Sequence, residues 1–372
     1  MKRFFILLTL AGNVFGEALT PDQLARQALS GNPELRFYEE QVAALPKPAK
    51  VPVPEILQPL DFPSQTELRR AVLNLDRDMA RLYLAEFRYV LESEVRLGAV
   101  EYQSAVETAA TAADIAHRIG ALVKMLEERP AAGVEALIER RILEGAALPF
   151  IREAAEAKVR AEYLRTRLNG LLGREAGKSL EISGGLGLPA QKEVDAVERP
   201  LLLKIREAEI ARGLAGGGAA AEIEAFAVGG WFTREGLGAN DAMTGMTRPG
   251  ATYGAAPDKT RERLSDDARR KWTREQAQRR AALAAAKEVV EAIPPTLVQN
   301  LQAAADLAER QYRVGALGVN LLVEIHHEYL DALQSRNASI LQAWRNALDL
   351  AFLDLPADEA PPKGKITVKP VN

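Results

Sequence analysis

The chain has 372 residues, only 6% of them aromatic, with Ala, Leu, Glu and Arg prominent and a formal net charge of −3 in which both signs are mixed along its length. Such a balance leaves no basic footprint and excludes a nucleic-acid partner. The absence of cysteine excludes disulfides, thiolate metal sites, thiol nucleophiles and a lipidated N-terminal cysteine.

Lys2 and Arg3, an apolar run from Phe4 to Leu10 and the small residues of Val14-Phe15-Gly16 read as a secretory signal peptide over residues 1–16. The apolar run is about seven to twelve residues, against about 20 for a membrane-spanning helix. Cleavage removes two positive charges and takes the net charge from −3 to −5. No later uncharged stretch reaches spanning length, so any membrane crossing by the mature chain has to use β-strands.

Thr20-Pro21 opens a short amphipathic helix over Asp22 to Leu29, followed by Asn32-Pro33-Glu34-Leu35. Prolines at 46, 48, 52, 54, 59 and 63 then make an extended connector. From Glu67 to about Glu128 there is no proline. Apolar residues recur there in steps of three and four: Leu68, Val72, Leu75, Met79, Leu82 and Tyr89, then Ile115, Ile119, Leu122 and Leu126. That spacing predicts a coiled-coil helix on the order of 90 Å long, one that needs partners along its whole length.

Arg129-Pro130 and Gly133 break this helix, a short helix resumes until Gly145, and a return helix runs from about Pro149 to Leu172, capped by Gly173. The plan then repeats: Arg199-Pro200-Leu201-Leu202, a glycine-rich stretch, a helix from about Lys259, a break at Ile293-Pro294-Pro295, Gly315, and a return helix to about Leu353. Glu139-Arg140 with Gly145-Ala146 matches Glu309-Arg310 with Gly315-Ala316, which points to a tandem duplication of about 170 residues. The expected fold is mainly α: two repeated long antiparallel coiled-coil hairpins with a small β-hairpin portion. The first repeat takes residues 17–198 and the second 199–355, with a disordered tail at 356–372.

The order of these elements resembles the TolC-like outer-membrane efflux protein family, most of all in Ala308-Glu309-Arg310-Gln311-Tyr312-Arg313-Val314-Gly315 followed by Asn320-Leu321-Leu322-Val323-Glu324. The resemblance covers nearly the whole mature chain. It implies a homotrimer whose hairpins form an α-barrel, a hollow periplasmic tunnel joined to an outer-membrane β-barrel. Such a trimer exports through a periplasmic adaptor, or membrane fusion protein, and an inner-membrane pump. It also implies that Arg140, Gly145, Tyr312 and Gly315 sit at adaptor-contacting tips, the two glycines in tight turns. Leu317, Leu321 and Glu324 fall where family members carry the polar residues that close the tunnel entrance, and of these only Glu324 is polar.

The barrel strands are less evident. Strands that cross the outer membrane take about 9 to 11 residues, and in the first half only the proline connector 46–63 holds that place. The second half offers Ile223 to Phe232 and Gly250 to Ala256, a weak hairpin over about 222–256. Two readings stay open: an exit duct of a tripartite efflux or type I secretion system, or a degenerate periplasmic helical scaffold or adaptor that does not span the outer membrane.

No catalytic, cofactor or metal constellation is expected. His117 stands alone; His326 and His327, being adjacent, point about 100° apart on a helix. His326 with Glu324 and Glu328 is either a weak cation site or a solvated helix face. Gly184-Gly185-Leu186-Gly187 and Gly216-Gly217-Gly218 lack the context of a phosphate loop and read as turns. Trp231, Trp272 and Trp344 read as packing or interface residues.

Overall fold

The computed structural model describes residues 18–45, 77–128, 134–189, 200–215 and 257–356. The signal peptide, the proline connector, the long helix before Arg77, the expected strands over 222–256 with Trp231, and the tail after Pro356 lie outside the described residues. Eight helices are described: α1 (Pro21–Gly31), α2 (Pro33–Ala44), α3 (Arg77–Glu127), α4 (Val134–Leu171), α5 (Leu201–Ala215), α6 (Pro257–Ala292), α7 (Pro295–Arg313) and α8 (Val319–Leu353).

Two long antiparallel hairpins dominate, α3 with α4 and α6–α7 with α8. At 51 residues α3 is about 75 Å long. Its buried positions Thr108, Ala112, Ile115, Ile119, Leu122 and Leu126 alternate steps of four and three, the seam of a coiled coil. In the second hairpin the descending strand of the pair is broken where expected. Proline at 294 and 295 ends α6 and restarts the chain as α7, with Pro295 at its first turn. The hairpins pack through α3 against α8, where Arg345 reaches Glu101 at 2.7 Å and Asn337 reaches Glu107 at 2.9 Å.

The base of the hairpins is wrapped by α1, α2 and α5. Thr20 and Gln23 close a capping box on α1. Asn32 ends α1, accepts from the Leu35 amide at 2.9 Å to start α2, and donates to the Leu171 carbonyl at 3.0 Å. Helix α4 ends as predicted with Gly173 at φ +66°: its amide bonds Gly170 O at 3.1 Å while the Arg174 amide bonds Asn169 O at 2.8 Å. Among the described residues β-structure is confined to two isolated bridges, Leu19 with Ile182 and Pro200 with Pro356, one closing each hairpin at its base.

Corresponding elements of the two halves can be compared by their spacing. The return helices α4 and α8 start at Val134 and Val319, 185 residues apart, and end at Leu171 and Leu353, 182 apart. The bridge residues Leu19 and Pro200 are 181 apart, and their partners Ile182 and Pro356 are 174 apart. The sequence also offers Gly133-Val134-Glu135-Ala136-Leu137-Ile138-Glu139 beside Gly318-Val319-Asn320-Leu321-Leu322-Val323-Glu324. Glu139-Arg140 stands in the return helix α4, whereas Glu309-Arg310 stands in α7, before the second turn.

Candidate functional site: the hairpin tips

Where α3 meets α4 and α7 meets α8, the four helices close on a common core of Ile119, Leu122, Phe150, Tyr312 and Leu322. The second tip turns at Gly315, as the sequence predicts. Its φ is +76°, and paired bonds from the Gly315 amide to Tyr312 O and from the Ala316 amide to Gln311 O, both 2.9 Å, finish α7. The first tip does not turn at Gly145. That residue lies inside α4, which runs unbroken from Val134 through Pro149. Helix α3 ends at Glu127 and its antiparallel partner α4 begins at Val134.

Glycine and proline four residues apart suggest a helix end, and tertiary packing overrides them. Leu143, Ala147 and Phe150 all bury on the same seam, which carries the helix across the flaw. The missing amide of Pro149 leaves the Gly145 carbonyl without its helical donor.

Arg140 is held within its own hairpin, 2.8 Å from Glu127 of α3 and 2.8 Å from Glu144. Hydrogen bonds from Arg140 and Arg141 keep the Glu144 carboxyl below its usual range. Tyr312 is 6% exposed, a core residue whose hydroxyl donates to Glu139 of α4 at 3.3 Å. The surface of the tips is made by residues that the sequence reading passed over: Val134, Leu137, Ile138 and Val314, all exposed.

Leu317 is half-buried against the tip core, whereas Leu321 and Glu324 are exposed on α8. Glu324 is not isolated, because Glu328 and Asp331 continue its stripe at steps of four and three, exposed as well. His326 is on the opposite side of the helix and only 1% exposed. It is neither on a solvated face nor within a site formed with Glu324 and Glu328. Its neighbour His327 stacks on Phe150 of α4 with centroids 4.5 Å apart. Among the described residues no group of three His, Asp or Glu side chains could hold a metal ion, and no helix is long and apolar enough to cross a membrane.

Charged side chains join the hairpins across the tip. Arg118 of α3 bonds Asp114 on its own helix at 2.7 Å and Asp306 on α7, and stands 3.8 Å from Glu309 of α7. Its pKa is raised, first by the bond to Asp306. Higher up, Gln334 of α8 donates to Glu153 of α4 at 2.7 Å. The two tryptophans within the described residues are packing residues: Trp272 donates to Leu353 O and Trp344 to Gly187 O, each at 2.9 Å. The Gly184 loop is thereby strapped to α8, with Leu186 seated beside Val290 and Ile340.

Helix α4 carries large apolar side chains on its outer side as well, interspersed with the exposed Arg141 and Arg152. One face is buried against α3, but Leu148, Val159 and Tyr163 are 64%, 70% and 65% exposed and lie along a single opposite stripe.

No protein-family model matches the sequence, and no curated protein matches it. Solved structures are similar to it. The transmembrane channel protein CusC has 14% identity and a TM-score of 0.57, over 90% of this chain and 96% of that one. The outer membrane protein VceC of Vibrio cholerae has 14% identity and a TM-score of 0.56, over 91% and 97%. The outer-membrane channel OprN has 17% identity and a TM-score of 0.56, over 90% and 89%. At these identities the likeness is one of fold. The chain has the helical-hairpin architecture of the TolC-like outer-membrane channels, as expected from its sequence.

Proposed function

We propose that this protein is the outer-membrane exit duct of a tripartite efflux or type I secretion system. In this reading three copies close their hairpins into a periplasmic tunnel that works with a periplasmic adaptor and an inner-membrane pump. The observation that carries the reading is the exposed apolar stripe of α4. Contiguous exposed apolar side chains mark an interaction surface, and one copy of the chain leaves Leu148, Val159 and Tyr163 uncovered. A head-to-tail neighbour covers them, and repetition of such a contact closes a ring.

The tips then face away from the outer membrane. Gly315 keeps its proposed place at an adaptor contact, joined by the exposed Val134, Leu137, Ile138 and Val314. Arg140 and Tyr312 act from within, by fixing the hairpins that present those residues. Leu321 and Glu324 line the entrance on the exposed stripe of α8, with Glu328 and Asp331 above them. The duct would hold water, and its substrate is chosen by the pump.

The test is fractionation of the full-length protein from cell envelopes with chemical cross-linking, for the native chain and for the double variant Leu148→Glu with Val159→Glu. The native chain is expected as a trimer with the outer membrane. The variant is expected to keep its helical circular dichroism and lose the trimer, since both side chains are solvent-facing within one copy. A native chain recovered as a soluble periplasmic monomer would overturn the duct and leave a helical scaffold.

A further inference from the structure

His326 occupies a place that an aliphatic side chain would suit better. It follows Leu322 and precedes Leu330 on the buried face of α8, and neither ring nitrogen has a hydrogen-bond partner. A buried polar group without partners gives up the bonds it makes in water.

Charged groups reach it from both packed neighbours. Helix α3 presents Asp114 and Arg118, and α7 presents Asp306 and Glu309. The three carboxylates are gathered around Arg118, so they are already matched to a cation. On α8 itself Tyr329 is bonded to Thr111, with its pKa raised by burial. Helix α4 places Phe150 on the adjacent His327, and its Glu153 is held by Gln334. None of these arrangements offers a second proton on the imidazole an acceptor.

We propose that His326 is an acid-sensitive latch between the hairpins: the neutral ring lets α8 close against α3 and α7, and the protonated ring is accommodated only when that seam parts and admits water. Burial, then Arg118, pushes the imidazole pKa below its ordinary value in the closed seam. The open form therefore takes up the proton first. Stability contributed by the neutral ring is fully present above about pH 6.5, and it is lost as pH falls through that value toward the lower pKa of the closed form. The same turn of α8 carries Leu321 and Glu324 on its exposed side, so parting the seam moves the residues placed at the entrance. The latch is a property of the seam and does not depend on the duct.

Amide hydrogen exchange on the full-length protein tests it, at pH 7.5 and 5.5 with rates corrected for intrinsic pH dependence. Peptides of α3 around 112–122 and α8 around 319–333 report the tip, and α1 peptides report the base. Tip exchange in the native chain is expected to rise by up to about tenfold at the lower pH, relative to the base. His326→Leu and His326→Gln are each expected to abolish the rise, and His117→Gln, on an exposed position, to keep it. The latch is overturned by a native chain whose tip does not respond to pH, or by a response that survives in either folded His326 variant.

Discussion

At the base of the molecule backbone meets backbone, and at the tip side chain meets side chain. Gly173 leaves α4 at φ +66° with its α-carbon packed on the turn between α1 and α2, so that a Cβ there would stand 2.5 Å from the Gly31 carbonyl oxygen. A Cβ on Gly31 would in turn stand 2.8 Å from the Leu172 carbonyl oxygen. Contacts of this kind have one geometry and no soft adjustment. The tip holds the same helices by Arg118 with its carboxylates, by Tyr312 with Glu139, and by an apolar core that includes an unpartnered imidazole. Side chains can rotate and exchange partners, and ion pairs at partly exposed positions contribute little net stability. The difference divides the labour: the base fixes how α1 and α2 join the end of α4, and the tip is free to rearrange without unfolding.

The largest effect expected from this contrast is that of Gly173→Ala. A non-glycine residue in the left-handed region costs about 1–2 kcal/mol, and the collision with the Gly31 carbonyl must be relieved by moving backbone. A loss of about 3 kcal/mol follows, read as a lower denaturant midpoint together with faster amide exchange in α1 and at the end of α4. At the tip, Tyr312→Phe keeps the buried ring and removes the long hydrogen bond to Glu139, so it should cost about 1 kcal/mol. Its exchange signature should stay within α4, α7 and α8. Equal losses from the two substitutions would dissolve the distinction between a fixed base and an adjustable tip.

Much of this was legible in the sequence because it rests on local rules. The heptad steps of Ile115, Ile119, Leu122 and Leu126, the break at Pro294-Pro295 and the glycine caps at 173 and 315 are each set by a few neighbouring residues, and each stands where expected. What escaped was decided by packing between helices. Nothing next to His326 in the chain tells that its side of α8 is the buried one. That follows only from the register of Leu322, His326 and Leu330 against α3 and α7. Tyr312 looks like a surface residue of a tip motif for the same reason. Glu139-Arg140 and Glu309-Arg310 look equivalent in the sequence, yet one pair stands in the return helix α4 and the other in α7, before the second turn.

Gly145 gives the smallest expected effect and the one whose sign is most informative. A glycine in a tip turn is held there by a backbone that other residues resist, and Gly145→Ala in such a place would destabilise. In the middle of α4 the same glycine has ordinary helical backbone, and nothing within 4 Å would meet an added Cβ. Alanine should then stabilise the protein by about 0.5–1 kcal/mol, because it lowers the entropy of the unfolded chain. A raised denaturant midpoint with slower exchange over residues 141–150 would place the continuous helix beyond doubt, and a lowered midpoint would return the first turn to Gly145.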